Sequence, residues 1–129
     1  MSPLSRVRIL VTEDDPDTRD LLEIILAHAN CEVVTTGSSS QALALARNRA
    51  FDLYLLDSRM AEMGGVELCQ KLREQDSKTP ILFYSGAAHE MNKQEAFAAG
   101  AQGYLVKPCD PDELVSEVLR LTSRRGQAA

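Results

Sequence analysis

Residues 51–57, FDLYLLD, are the stretch that decides the fold of this 129-residue chain. The stretch is apolar almost throughout and ends at Asp57. Strands that are buried on both faces, as in parallel sheets, have near-continuous apolar sequences, whereas half-exposed strands alternate apolar and polar residues. These residues therefore predict a buried strand with an aspartate at its carboxyl end.

Four more strand-like runs lie on either side of this stretch. They are 7–12 (VRILVT), 32–36 (EVVTT), 81–84 (ILFY) and 104–106 (YLV). Apolar residues recur at helical spacing in the segments that follow the strands, and Asp15-Pro16 and Gly100 are typical of a helix start and a helix end. Five strands alternating with five helices predict an α/β fold whose parallel sheet is covered on both faces.

The length is that of one domain. We expect residues 1–129 to form it, with a core over about 7–121 and a frayed tail over 122–129. The first helix is expected to run from Pro16 to about Ala29 and the last to start at Asp110-Pro111.

The formal net charge of −5 argues against a broad basic face for nucleic acid or an anionic membrane. No apolar run approaches the length of a membrane helix, and the start of the chain lacks a signal-peptide pattern, so we expect a cytoplasmic location. Cys31, Cys69 and Cys109 include no Cys-x-x-Cys pair, which indicates free thiols rather than a disulfide or zinc framework.

Polar and charged residues follow four of the five predicted strands. The first strand ends in Glu13-Asp14-Asp15, the third in Asp57, the fourth in Ser85 and the fifth in Lys107. Each residue alone is more often a solvated loop residue, a helix cap or a turn former. The carboxyl ends of parallel strands, however, lie at one edge of the sheet, where such folds place their ligands. The joint occurrence therefore predicts a site at this edge.

Charge indicates what this site binds. Two carboxylates about 4 Å apart repel each other by on the order of 4 kcal/mol at an effective dielectric constant of 20. Three together need a cation or must stay partly protonated, and a small set of oxygen ligands suits Mg²⁺, with Mn²⁺ as an alternative. A carboxylate nucleophile with a hard metal, a lysine and a hydroxyl is the equipment for phosphoryl transfer to aspartate.

Four segments resemble the signature segments of response-regulator receiver domains. They are ILVTEDDPDTRDLL, LYLLDSRM, ILFYSGAA and GYLVKP, and they occur in the family's order and spacing over about Val7 to Leu121. The resemblance implies a flavodoxin-like doubly wound (βα)5 sandwich of three layers with strand order 2-1-3-4-5.

The resemblance also implies roles at the metal and at the acceptor. Asp57 is similar to the phosphoacceptor of the family. Asp14 is similar to a direct metal ligand, Glu13 to an acidic residue that acts through water, and Arg59 to the residue that offers its backbone carbonyl. Asp15 matches a variable acidic position and is expected to cap the first helix.

Further roles concern the switch. Ser85 resembles the hydroxyl that bonds a phosphoryl oxygen, and Lys107 resembles the lysine that pairs with the phosphoryl group. Pro108 follows Lys107, as in relatives in which the bond between the two is cis. Tyr104 resembles the aromatic residue that moves with activation. Ala61 stands where relatives often have proline, so we expect a less rigid loop there.

The function implied is that of a signalling domain rather than a turnover enzyme on an external substrate. A histidine kinase or a histidine phosphotransfer protein would dock near the first helix and phosphorylate Asp57, and the domain would then control an output protein or domain. We expect no direct nucleic-acid partner and no membrane insertion. A homodimer through the fourth helix, fifth strand and fifth helix is a further expectation by family analogy.

Three other functions remain open alternatives. A haloacid-dehalogenase-like phosphohydrolase would need a second aspartate two residues after Asp57, where Arg59 stands. A flavodoxin-like electron carrier would need a hydroxyl- and glycine-rich loop after the first strand, where this chain has acidic residues. An interaction module that no longer accepts a phosphoryl group would keep the same fold. His28 and His89 lack partners at ligand spacing, which favours ordinary surface positions for both.

Overall fold

A computed structural model describes the backbone of residues 6–127 and the side chains as far as Ser123. Five strands alternate with five helices within these residues. The elements are β1 (Arg8–Thr12), α1 (Pro16–His28), β2 (Glu32–Thr36), α2 (Ser39–Asn48), β3 (Leu53–Leu56), α3 (Gly65–Gln75), β4 (Ile81–Ser85), α4 (Glu90–Ala99), β5 (Gly103–Val106) and α5 (Pro111–Gln127).

The strands form one parallel sheet in the order β2-β1-β3-β4-β5. Thr12 at the end of β1 pairs with Thr36 on one side and with Leu56 on the other. Ser85 at the end of β4 pairs with Val106. The order implied by the family resemblance is therefore confirmed. The carboxyl ends of β1, β3, β4 and β5 lie next to one another, with β2 at the outer side.

The helices cover both faces of the sheet and bury an aliphatic core on each. Leu22 and Leu26 of α1 and Leu114 and Val118 of α5 pack on one face. Helices α2, α3 and α4 pack on the other face, where the contribution of α3 includes the fully buried Leu72. A leucine buried in this way stabilises the fold by about 1.5–3 kcal/mol relative to an exposed one.

Local signals in the sequence account for two helix ends. The Asp15 carboxylate accepts the backbone N–H of Thr18 at 2.9 Å, and Pro16 occupies the first turn, so Asp15 caps α1 as predicted. Gly100 ends α4 in the left-handed region with φ of 118°. That conformation is free of steric cost only for glycine.

Several boundaries differ from the sequence prediction by one residue, and the start of β3 differs by two. Strand β3 begins at Leu53 rather than at residue 51, because the Asp52 side chain accepts the backbone N–H of Arg8 at 2.8 Å beside the ladder. Helix α5 continues to Gln127, into the tail from residue 122 onward for which we expect fraying. Its apolar stripe ends near Leu121, but no proline follows to stop the helix. Residues 128 and 129 of that predicted tail lie outside the described residues.

The cysteines are free thiols in the structure, as expected. Cys31 and Cys69 are buried and Cys109 is partly exposed. Across the part of the chain that is described, none of the helices has the length and apolar character needed to span a bilayer.

Candidate functional site

The ends of the central strands are joined by backbone hydrogen bonds that continue past the ladders. Asp57 donates its N–H to the Thr12 carbonyl at 3.1 Å, and Lys107 donates its N–H to the Ser85 carbonyl at 2.8 Å. These bonds hold the first residues after β3 and β5 close to the neighbouring strands. The predicted site residues therefore start from fixed backbone positions.

Three carboxylates meet at this edge of the sheet. Glu13, Asp14 and Asp57 each place one carboxylate oxygen within 4.8 Å of the others. Glu13 and Asp57 are buried, with 2% and 6% of their surface exposed, and Asp14 faces solvent. No other group of three or more metal-ligating side chains occurs among the residues with described side chains. Asp15, the third acidic residue in sequence, caps α1 instead of joining the group.

Lys107 is the cation of this cluster. Its ammonium donates to Glu13 at 2.9 Å and to Asp57 at 3.2 Å. Burial lowers the pKa of Lys107, but the hydrogen bond with Glu13 and the charge of Asp57 outweigh that effect and raise it. The pKa of Glu13 is raised, first by burial and also by the charge of Asp57, although Lys107 opposes this. One ammonium thus faces three carboxylates, which leaves an excess of negative charge.

The Lys107–Pro108 peptide bond is cis, as in the relatives that the resemblance suggested. The lysine ammonium lies 5.6 Å from the centre of the Tyr84 ring. This contact adds a modest cation–π attraction.

The predicted switch residues are connected by hydrogen bonds. Ser85 is completely buried, and its hydroxyl accepts the backbone N–H of Ala87 at 3.1 Å. Tyr104 stacks on Phe83, with ring centres 5.7 Å apart, and donates its hydroxyl to the Ala87 carbonyl at 2.6 Å. Ser85 and Tyr104 therefore contact the same short loop after β4, from opposite sides of Ala87.

Ser58 was not predicted as a site residue. It follows Asp57 directly, and its hydroxyl forms a short hydrogen bond with the hydroxyl of Ser85. A serine in a loop after a strand carries no distinguishing sequence signal, because serine is a common turn residue. The contact arises because β3 and β4 are neighbours in the sheet, which brings Ser58 and Ser85 together.

The loop after β3 carries Arg59, whose backbone carbonyl was predicted to be a metal ligand. The Arg59 N–H donates to the Asp57 carboxylate at 3.3 Å. Glu62 accepts hydrogen bonds from the Ser38 and Ser40 hydroxyls at 3.0 and 2.8 Å, and the Ser40 backbone N–H donates to it at 3.1 Å. The loop is therefore tied to the start of α2, although Ala61 led us to expect a less rigid loop.

Two further contacts shape the site and had no recognised sequence signal. Arg19 of α1 donates to the Glu13 carbonyl at 2.8 Å, and its guanidinium fills the space where a side chain at Gly37 would lie. Gly65, the first residue of α3, comes so close to the Asp57 carbonyl that an added Cβ would lie 2.4 Å from it. Both glycines permit close approach rather than an unusual backbone conformation.

The other candidate groups are not members of the acidic cluster. His28 lines a groove between α1 and α5, and His89 precedes α4. Burial raises the pKa of the Cys109 thiol, and nearby Glu113 and Asp110 raise it further, which disfavours a reactive thiolate.

Comparison with known proteins identifies one family. Residues 9–119 match the family model described as the response regulator receiver domain. The transcriptional regulatory protein ResD of Bacillus subtilis is 33% identical over 129 residues, which are 100% of this chain and 53% of ResD. The chain spans about half the length of the first curated relatives that it matches.

Solved structures agree with the family match. The chemotaxis protein CheY4 of Vibrio cholerae has 33% identity and a TM-score of 0.87, covering 91% of this chain and 99% of its own. The receiver domain of a Pseudomonas aeruginosa sensor histidine kinase has 25% identity and a TM-score of 0.86, covering 92% and 99%. That domain was solved with a magnesium ion coordinated in its active-site cleft.

Proposed function

The chain belongs to the response regulator receiver domain family, and we propose that it accepts a phosphoryl group on Asp57 in a Mg²⁺-dependent reaction. The observation that carries this proposal is the position of Asp57. It is buried, it lies among carboxylates with an excess of negative charge, and it accepts a hydrogen bond from Lys107 at 3.2 Å.

The donor set fits a hard divalent cation. Carboxylate oxygens of Glu13, Asp14 and Asp57, together with the Arg59 carbonyl, are the ligands we propose for Mg²⁺, with Mn²⁺ as an alternative. A bound ion of this kind supplies positive charge against the oxygens of a phosphoryl group during transfer. The excess of negative charge among the described site residues is what such an ion would offset.

The chain's own residues then have distinct tasks. A carboxylate oxygen of Asp57 attacks phosphorus, forming an O–P bond while the P–N bond of a donor phosphohistidine breaks and its imidazole leaves. Lys107 holds the attacking carboxylate and offers its ammonium to the phosphoryl oxygens. Ser85 offers its hydroxyl to the same oxygens. Later attack by water at phosphorus releases phosphate, and the side chains of Arg59 and Ala87 flank the path of that water.

We place the phosphodonor, a histidine kinase or a histidine phosphotransfer protein, near α1. Leu21 and Ile24 on this helix are 54% and 66% exposed, and their spacing of three residues places them on the same side of the helix. Ile24 also lines the groove between α1 and α5, where Val115 adds apolar surface. An amphipathic helix of the donor would bury this surface beside the acidic edge.

The output surface would be the face formed by α4, β5 and α5. Met91 and Phe97 of α4 and Leu119 of α5 are exposed there, and Tyr104 of β5 connects this face to the loop after β4. A downstream protein, an output domain or a second copy of the chain would bind this face. In this account residues 1–129 are a single receiver domain in the cytoplasm, and the domain signals without turning over an external substrate.

Intact mass after incubation with acetyl phosphate and Mg²⁺ tests the proposal. We expect one added phosphoryl group on the wild type, and none on Asp57→Asn or after chelation of the metal. Ser85→Ala should still be labelled but should fail to change the Tyr104 environment. Equal labelling of wild type and Asp57→Asn would refute the acceptor assignment, and no labelling at all would favour an interaction module.

A further inference from the structure

Ser58 lies between the acceptor and the switch and has no role in the proposed function so far. It is half-buried and contributes to the wall of a groove of about 560 Å³ beside the site. The groove runs between the loop after β3 and the loop after β4, with Arg59 on one side and Ala87 on the other. The Ser58 hydroxyl forms a short hydrogen bond with the Ser85 hydroxyl across the boundary between β3 and β4.

The contact with Ser58 restricts the direction in which the Ser85 hydroxyl can donate its proton. A serine hydroxyl has one proton to donate and two lone pairs to accept with. The backbone N–H of Ala87 donates to one lone pair of Ser85 at 3.1 Å. When Ser58 donates to the other, both lone pairs are filled and the Ser85 proton must point elsewhere. Because Ser85 is completely buried, bulk water does not compete for that proton.

The same hydroxyl is linked to the distant face of the domain. Ala87, which donates its N–H to Ser85, accepts the Tyr104 hydroxyl on its carbonyl at 2.6 Å. A continuous series of contacts therefore runs from Ser58 through Ser85 and Ala87 to Tyr104. A donor that is already oriented stabilises an arriving charge more than a freely rotating one, because no reorganisation is needed.

We propose that Ser58 is a positioning residue of the switch, whose hydroxyl orients Ser85 so that the Ser85 proton meets a phosphoryl oxygen on Asp57. The inference rests on the proposed function. Ser58 touches neither the phosphoryl group nor the metal in this account, since its hydroxyl is engaged with Ser85. Its removal should weaken the response of Ser85 while leaving the acceptor carboxylate in place.

Titration with beryllofluoride in saturating Mg²⁺ provides the test, followed by the amide resonance of Ala87. We expect Ser58→Ala to raise the dissociation constant by about threefold to tenfold, the effect of one hydrogen bond of ordinary strength. The Ala87 resonance should also shift in the free protein, because its acceptor loses a partner. Ser58→Thr keeps the hydroxyl and should bind within twofold of the wild type, as should the distant control Ser123→Ala.

A double-mutant cycle separates positioning from a merely structural role. In a Ser85→Ala background, Ser58→Ala should cause no further loss of affinity, because the hydroxyl that it orients is gone. An affinity of Ser58→Ala within twofold of the wild type, or an equal loss in both backgrounds, would overturn the inference. Thermal unfolding of each variant shows whether a loss of affinity comes from misfolding. If Ser58→Ala is misfolded, the affinity of Ser58→Thr, which we expect within twofold of the wild type, tests the inference instead.

The two proposals fail in different ways in this experiment. If wild-type protein binds no beryllofluoride and takes no phosphoryl group from acetyl phosphate, the proposed function is wrong and the inference falls with it. If the wild type binds and Ser58→Ala binds equally well, the proposed function stands and the inference alone is wrong.

Discussion

Two polar clusters lie at opposite edges of the sheet, and they are built in opposite ways. The carboxyl-edge cluster consists of Glu13, Asp14, Asp57, Ser85 and Lys107. The amino-edge cluster consists of Tyr54, Arg73, Asp76, Thr79 and Gln102. Both combine carboxylate, hydroxyl and cationic side chains, and apart from the exposed Asp14 and Gln102 these residues are buried or half-buried. They differ in whether the charges are balanced by partners within the chain.

The amino-edge cluster is balanced. Arg73 donates to the Gly100 carbonyl with two nitrogens at 2.9 and 3.0 Å, and to the Thr79 and Asp76 carbonyls at 2.7 and 3.1 Å. Burial raises the pKa of Asp76, but hydrogen bonds, first from Thr79 and also from Tyr54, outweigh it and hold the pKa at about 2. This arrangement stabilises the loops and needs no ligand.

The carboxyl-edge cluster is unbalanced. One ammonium pairs with two of the three carboxylates, and the pKa of Glu13 is raised, first by burial and then by the neighbouring charge of Asp57. Clusters that keep such electrostatic strain are frequent at functional sites. The difference between the edges indicates that folding completes one cluster and that a ligand completes the other.

The largest effect on stability should come from Arg73→Ala. The substitution removes the arginine donor of the Thr79 carbonyl and leaves the Gly100 carbonyl with the Gln102 amide only, so the free energy of unfolding should fall by about 2–4 kcal/mol. Urea denaturation measures this fall, and labelling of Asp57 should be unchanged below the transition. Arg47→Ala, at an exposed arginine, is the control and should change stability by less than about 0.5 kcal/mol. Equal effects of the two substitutions would contradict the structural role.

Asp76→Asn should destabilise the protein in a pH-dependent way. The folded-state pKa lies near 2, below the ordinary value of 3.8, so the ionised carboxylate stabilises the fold above about pH 4. That contribution is lost as the pH falls from about 4 through 2. After allowance for solvent screening, we expect the free energy of unfolding of Asp76→Asn to be about 1–2 kcal/mol lower than that of the wild type at pH 7. Denaturation at pH 7, 4 and 3 tests this, and a difference that stays constant with pH would refute it.

Asp57→Asn should act in the opposite direction. Without divalent cations the substitution removes repulsion within the carboxyl-edge cluster, so the free energy of unfolding should rise by about 1 kcal/mol. Added Mg²⁺ should stabilise the wild type through binding to the native state, and Asp57→Asn much less. Asp76→Asn, the matched aspartate at the other edge, should keep the full Mg²⁺ effect. Destabilisation of metal-free protein by Asp57→Asn would remove the contrast between the edges.

The smallest effect, a change in amide exchange and in Mg²⁺ affinity, should come from Glu62→Gln. Glu62 is exposed but ties the loop that carries Arg59 to the start of α2. Loss of its charge should speed hydrogen exchange of the Ser40 amide and weaken Mg²⁺ binding by about twofold to threefold. Glu74→Gln, at an exposed position on α3, is the control. Unchanged exchange at Ser40 would show that the loop is held by other contacts.

Much of the fold was predictable from local patterns. The bounds of β2 were predicted as observed. Asp15 marks a helix start by side-chain capping, and Gly100 marks a helix end by its left-handed backbone conformation. The strand order came from the family resemblance rather than from periodicity. The gathering of Asp57 and Lys107 followed from parallel strands sharing one edge.

The positions that could not be predicted depend on contacts between distant segments. Ser58 acquires its partner 27 residues away in sequence, and Glu62 acquires its partners 22 and 24 residues away. Arg19 donates to a backbone carbonyl. Such a hydrogen bond cannot be predicted from residue types, because every residue has a carbonyl. Helix α5 extends past its apolar stripe, so the stripe alone does not mark where the helix ends.

The location of the phosphoryl group tests the central claim most directly. Protein treated with acetyl phosphate and Mg²⁺ is reduced with borohydride, which converts an aspartyl phosphate to homoserine, and tandem mass spectrometry of its peptides locates the change. The account predicts homoserine at position 57 and nowhere else, with none when the metal is chelated. Homoserine at position 14, or an unmodified position 57 under conditions that label a control receiver, would contradict it.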